Sequence, residues 1–144
     1  MTTRELVALL DEAAAVATAA NGGIDVAALC LRILTAASDS PEVSDALRDV
    51  PAGRALLRFT DSDAAIEFAA GEGAVAAHPA DKRGKGPKVD AGSTTWLGLF
   101  GGTLRPWLAF TRGAVVCRAG LTELRWMQTV AERLQRAYAE ARRE

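Results

Sequence analysis

The fold of this chain is decided by residues 96–120, which read WLGLFGGTLRPWLAFTRGAVVCRAG. This stretch joins two apolar helical segments to a β-branched strand, and glycines separate the three. Two of the chain's three tryptophans and two of its four phenylalanines lie here. Such a concentration of large apolar side chains predicts either a pocket or a tightly packed core.

Helical spacing of apolar residues holds before and after a central block of strands. The predicted elements are a helix from Thr2 to about Asn21, a helix capped by Asp25, a short helix after Ser40, strands at 54–60, 66–68, 74–78 and 89–91, a helix from Ser93 or Thr94 to Gly102, a short helix from Pro106, a strand at 114–118 and a closing helix from Leu121. One domain is expected over 1–144, with helices in 1–50, strands and pocket helices in 54–120, and the closing helix in 121–144.

Composition narrows the partners and the compartment. The 144 residues carry a net charge of -1, and the basic segment Lys82–Lys88 lacks interleaved aromatics, so nucleic acid is not an expected partner. That segment predicts a solvated loop with at most weak, transient contact with a membrane. Cys30 and Cys117 are expected as reduced thiols, and acidic residues interrupt any apolar leader, which predicts a cytoplasmic protein. The sequence sets no oligomeric state.

The order of small and ring residues in the second half carries a resemblance. Gly102, Pro106, the pair Ala109–Phe110, Gly113 and Gly120 follow one another at spacings that closely match the sterol carrier protein 2 family of lipid-binding domains. The resemblance covers about residues 54–136. It implies an α+β fold, in which a mostly antiparallel sheet of about five strands is covered by N-terminal, middle and C-terminal helices around an apolar cavity.

The implied function is non-covalent binding, and possibly transfer or presentation, of a fatty acyl, isoprenoid, steroid or similar apolar ligand. Such a ligand needs a dry slot and little polar recognition, because each buried methylene contributes about 0.8 kcal/mol. The expected wall residues are Trp96, Leu97, Phe100, Leu104, Trp107, Phe110, Leu124 and Met127. Trp107, next to Pro106 on a very short helix, is the expected entrance residue.

A less specific interpretation stands beside the pocket. The same side chains could fill one another's space in a solid core, and Met127 is of a type that commonly fills gaps in a core. Trp126 lies off the main apolar stripe, where it would either contact a partner or a membrane surface or be buried on both sides. A protein-interaction module with a closed cavity is therefore an alternative function.

Catalytic patterns are sparse. His78 is the only histidine and precedes Pro79 at a strand end, so any Ser-His-Asp or Cys-His arrangement would have to use it. The glycines at 98, 101 and 102 lack the context of a phosphate-binding loop, and metal-ligand spacing is absent, so no cofactor and no metal are expected. An enzyme or biosynthetic accessory protein acting in the same cavity is the other alternative, with possible polar groups at His78, Asp90, Cys117 and Tyr138.

Overall fold

The structure, a computed structural model, describes residues 3–18, 26–101 and 104–143, with side chains at 5–12, 26–100 and 104–143. In chain order the elements are α1 (Thr3–Thr18), α2 (Val26–Ser38), α3 (Pro41–Leu47), β1 (Gly53–Phe59), β2 (Ala65–Gly71), β3 (Ala74–Pro79), β4 (Lys88–Ala91), α4 (Ser93–Gly101), α5 (Pro106–Thr111), β5 (Val115–Arg118) and α6 (Leu121–Arg142). The expected roles of Thr2, Asn21, Asp25 and Gly102 in starting and ending helices lie outside the described residues.

Two helix starts show how the local sequence sets the element bounds. The Ser40 hydroxyl accepts a hydrogen bond from the Val43 N–H at 3.4 Å, and Pro41 occupies the first turn of α3, as the sequence predicts. At α4 the capping group is different. The Asp61 carboxylate, from the turn between β1 and β2, accepts hydrogen bonds from both the N–H and the hydroxyl of Ser93. A cap from another element cannot be read from the spacing around Ser93.

The five strands form one mixed sheet in the order β3-β2-β1-β4-β5. Neighbouring strands are antiparallel except β1 and β4, which are parallel. The helices pack on one face of this sheet and on one another, with α1 against α4, α2 against β3 and α3 against α6. The predicted α+β class with a five-stranded, mostly antiparallel sheet is confirmed.

Alternation along β1 separates the covered face of the sheet from the open one. Ala55, Leu57 and Phe59 are buried under the helices, whereas Arg54 and Arg58 lie on the other side. Register places their neighbours on the same covered face, with Phe68 of β2 beside Ala55, Val89 of β4 beside Leu57, and Cys117 of β5 beside Val89. One face is therefore almost wholly apolar.

The loop at 80–88 has a structural role in addition to its charge. Leu56 points to the open face and is nevertheless buried, because this loop runs over it: the Leu56 N–H donates to the Pro87 carbonyl at 2.8 Å, and the Leu56 side chain lies beside Gly84. Arg83 on the same loop is exposed. The loop is thus solvated on its outer side and covers apolar surface on its inner side.

Candidate functional site

An apolar pocket of about 410 Å³ lies between the covered face of the sheet and helices α4, α5 and α6. This volume falls within the range of roughly 300–1,000 Å³ that is typical of small-molecule sites. Three walls contribute. The sheet supplies Ala55, Leu57, Phe68, Val89, Val115 and Cys117, α4 and α5 supply Trp96, Leu99, Phe100, Pro106, Trp107, Phe110 and Thr111, and α6 supplies Leu124, Trp126, Met127, Gln128, Val130, Ala131, Leu134, Gln135 and Tyr138.

Six of the eight residues expected on the wall lie around this pocket, namely Trp96, Phe100, Trp107, Phe110, Leu124 and Met127. The other two lie elsewhere. Leu97 is 2% exposed and packs in the main core, because a helix of nine residues turns successive side chains to different sides. Leu104 is half-buried in the connection between α4 and α5, outside the lining, where its carbonyl accepts a hydrogen bond from α6.

The aromatic side of the pocket is built by ring contacts. Trp96 and Phe100 stack with ring centroids 5.7 Å apart, and Phe59 packs against Trp96 from the sheet. The Trp96 indole N–H donates to the Arg58 carbonyl at 3.1 Å, which fixes α4 on β1. These contacts hold the deep wall in one arrangement.

Trp126 is a wall residue that the sequence argument left aside. Its indole N–H donates to the Pro51 carbonyl at 2.7 Å, and its ring lies over Gly53 at the start of β1. Phe68 packs against the same ring with centroids 6.4 Å apart. Trp126 is therefore packed against the sheet, although it lies off the main stripe of α6.

The strand residues on the wall were also missing from the expected set. The alternation of apolar and polar residues identified which residues of β1 share a face. It does not give the distance between the helices and that face. Only the packing of α6 across the sheet shows that Leu57, Phe68 and Val89 border a pocket.

Of the three polar residues of α6 that line the pocket, Gln128 is exposed, whereas Gln135 and Tyr138 face the interior. The Gln135 side-chain amide donates to the carbonyls of Leu99 and Leu104, at 3.0 and 2.8 Å, and so ties α6 to the end of α4. Tyr138 is 3% exposed, and its hydroxyl has no hydrogen-bond partner within the part of the chain that the structure describes. Burial raises the pKa of Tyr138, with a further contribution from nearby Cys30, so the phenol is neutral.

The four polar groups considered for catalysis separate into two pairs. His78 is exposed on edge strand β3, and Asp90 points to the open face of the sheet. There the Asp90 carboxylate accepts hydrogen bonds from Arg58 Nη2 at 2.7 Å and from Arg118 Nε at 3.0 Å. Hydrogen bonding to Arg58 is the main reason that the pKa of Asp90 lies below its ordinary value.

Only Cys117 and Tyr138 of these four line the pocket. Burial raises the pKa of the Cys117 thiol, and the Asp90 charge raises it further. A neutral thiol and a neutral phenol supply neither a general base nor an activated nucleophile. The arrangement is suited to excluding water from an apolar molecule.

The pocket opens beside α5. Trp107 and Phe110 line the pocket and are also 61% and 47% exposed, so they belong both to the wall and to the surface. Ala109 between them is fully buried and anchors the short helix. We call the four lining residues of α5 (Pro106, Trp107, Phe110 and Thr111) the pocket mouth.

Residues 3–18, 26–101 and 104–143 contain neither a candidate metal cluster nor a candidate membrane-spanning helix. No cluster of three or more potential metal ligands is found in these segments. None of the helices described there is both long and apolar enough to cross a bilayer.

Solved structures share this architecture. A crystal structure of sterol carrier protein 2 superposes with a TM-score of 0.56 and 19% identity, over 78% of this chain and 93% of that protein. The chain has a sterol carrier protein 2-like fold. A UbiJ-SCP2 ubiquinone synthesis protein also matches, with a TM-score of 0.53 and 14% identity over 78% of this chain and 90% of that one. No protein-family model and no curated protein sequence matches the chain.

The expected resemblance is confirmed at the level of the fold. At 19% and 14% identity, the two neighbours show the fold of the chain and do not fix the chemistry of a ligand.

Proposed function

We propose that the protein binds an apolar, lipid-like molecule non-covalently in the pocket between the sheet and α6. The observation that carries this proposal is the pocket's lining, in which aromatic and aliphatic side chains from seven elements surround about 410 Å³ and open to solvent at the pocket mouth. A packed core would leave no such space, since protein interiors are filled about as densely as organic crystals.

Energetics favour a ligand with a long apolar part. At about 0.8 kcal/mol per buried methylene, a chain of ten carbons gains enough to offset the cost of association without any ion pair. The neutral thiol of Cys117 and the neutral phenol of Tyr138 add no buried charge that would repel a hydrocarbon. A fatty acyl, isoprenoid or steroid group meets these requirements.

The likeness to a UbiJ-SCP2 ubiquinone synthesis protein supports a second version of the proposal. In this second version, the chain presents the bound molecule, an intermediate of a biosynthetic route, to another protein. The chain is then an accessory protein rather than a carrier. Both versions require the same binding step. Neither Cys30 nor Cys117 forms a disulfide bond, which favours a reducing compartment such as the cytoplasm for either role.

Filling the pocket from α6 tests the binding step. Ala131 lines the pocket, and Ala131→Phe places a ring in the space that a ligand would occupy. Ala139 lies two turns later on the exposed side of the same helix, so Ala139→Phe is the matched control. We expect the wild type and Ala139→Phe to bind a fluorescent fatty acid with a Kd near or below about 10 µM.

Ala131→Phe is expected to bind the same probe at least tenfold more weakly, while its thermal unfolding midpoint stays close to that of the control. Wild-type protein that leaves the probe unbound at that concentration, or equal affinities for the two phenylalanine variants, would contradict the proposal.

A further inference from the structure

Helix α5, which carries the pocket mouth, holds an unusual share of the exposed apolar surface. Among the described residues the large hydrophobic side chains that are most exposed are Trp107, Leu108, Phe110, Val116 and Leu121, and three of these five belong to the six-residue helix α5. Exposed apolar side chains that occur singly need no explanation, but a cluster of this kind indicates an interaction surface. Trp107 is also of the residue type that prefers the boundary between water and lipid.

Along the sequence, the charged residues on either side of this helix are all basic. From residue 91 to residue 122 the chain contains no aspartate and no glutamate, although an even spread of its 18 acidic residues would place four there. The same stretch contains three arginines. Arg118 is paired with Asp90, whereas Arg105 and Arg112, which flank α5 directly, are exposed and form no ion pair among the described residues.

The exposed apolar surface is continuous with the pocket interior. Trp107 and Phe110 contribute to both, so a molecule that leaves the pocket at this side passes over their rings. Ala109 is fully buried and holds the inner side of α5 against the protein, which leaves its outer side free to contact a planar partner.

We propose that α5 and its flanking arginines dock on the surface of an anionic lipid bilayer, with Trp107, Leu108 and Phe110 entering the boundary between headgroups and acyl chains. Positive charge beside an apolar segment is the pattern of proteins that lie on anionic membranes, where each arginine near the surface strengthens binding about fivefold. The net charge of the whole chain is -1, so the chain as a whole is not attracted to an anionic surface. The attraction comes from the arginines beside the pocket mouth. The proposal extends the proposed function by giving the cargo a route into and out of lipid, but its test does not depend on any cargo.

Vesicle flotation tests the charge component. The full chain is mixed with vesicles of phosphatidylcholine alone or of phosphatidylcholine containing phosphatidylglycerol. We expect flotation with the anionic vesicles, weakened by added salt, and little with the neutral ones. Arg105→Ala/Arg112→Ala should reduce the anionic partition coefficient about thirtyfold.

The control Arg136→Ala/Arg143→Ala removes two exposed charges, one from α6 and one from the residue that follows it, and should leave partition unchanged. Equal flotation of the two double variants, or no binding of the wild type to anionic vesicles, overturns the proposal.

Tryptophan emission tests the apolar component, because Trp96 is buried and Trp107 is the most exposed of the three indoles. Binding to anionic vesicles should shift the emission to shorter wavelength, and brominated lipid should quench it. Trp107→Gln should abolish both effects. If the wild type is a dimer and Trp107→Gln is a monomer, then α5 mediates self-association and the proposal of membrane docking is overturned.

A soluble fluorescent fatty acid, measured without vesicles, separates this inference from the proposed function. Both arginine variants should bind that probe like the wild type. If the wild type binds the probe but does not float with anionic vesicles, only the proposal of membrane docking is contradicted. If the wild type does not bind the probe, the proposed binding of an apolar ligand is contradicted.

Discussion

Tyr138 carries the one buried side-chain oxygen or nitrogen that lacks a hydrogen-bond partner among the described residues. Its ring contributes to the core and to the pocket wall, but its hydroxyl is buried without a hydrogen-bond partner. A buried hydroxyl that lacks a partner costs about 1–3 kcal/mol in stability. The ring alone would supply the same packing.

We therefore expect Tyr138→Phe to raise the free energy of unfolding at neutral pH by about 1 kcal/mol, measured by urea denaturation. Burial raises the pKa of Tyr138, so only the unfolded state ionises as the pH passes about 10. The wild type should then lose stability at alkaline pH relative to Tyr138→Phe. Since the chain has one tyrosine, the difference between the two proteins isolates this group.

A lower urea midpoint for Tyr138→Phe would show that the hydroxyl does have a stabilising partner. A difference between the two proteins that stays constant from pH 7 to pH 11 would contradict the raised pKa of the phenol.

The polar candidates illustrate how far residue-level prediction reaches. The sequence identified His78, Asp90, Cys117 and Tyr138 as possible polar groups of a cavity. It could not show which of the four line the pocket. Strand alternation places Asp90 and Cys117 on particular faces only once the register between β4 and β5 is known. That register depends on packing between elements that are distant in sequence.

At the scale of elements, the start of β1 and the middle of α6 are fitted to each other. A Cβ on Gly53 would lie 2.6 Å from Cε2 of Trp126, closer than real contacts allow. The same indole donates to the Pro51 carbonyl, so it cannot move away without breaking that hydrogen bond. Glycine at position 53 is thus required by close approach of the ring.

Gly53→Ala is expected to destabilise the protein by about 1–3 kcal/mol through displacement of the Trp126 indole, and to weaken binding of the fluorescent fatty acid because that ring is part of the wall. Gly92→Ala is the comparison, since a Cβ there has only ordinary contacts, the nearest at 3.7 Å. Both changes are measured by chemical denaturation and probe titration. A Gly53→Ala protein as stable as Gly92→Ala would contradict the close fit.

Most elements could be predicted because their signals are local. Prolines 41 and 106 mark the starts of α3 and α5, and strand alternation marks β1. The parallel pairing of β1 with β4 could not be predicted, because more than twenty residues and two other strands intervene. The cap that Asp61 provides for α4 escaped prediction for the same reason.

For the molecule as a whole, the two faces of the sheet divide the chemistry. The face under the helices is apolar and borders the pocket, while the open face carries the ion pairs of Asp90 with Arg58 and Arg118. The resemblance to the sterol carrier protein 2 family, carried mainly by the glycines, the proline and the Ala-Phe pair of residues 102–120, predicted this fold. It could not predict the depth of the pocket, which depends on how far α6 stands from the sheet.

Native mass spectrometry of gently purified protein tests the central claim most directly. The wild type should carry an additional non-covalent mass of lipid size, either as isolated or after incubation with a lipid extract, and denaturation should release it. Ala131→Phe should carry much less of that mass than Ala139→Phe. Wild-type protein found at its bare chain mass under both conditions would contradict ligand binding in this pocket.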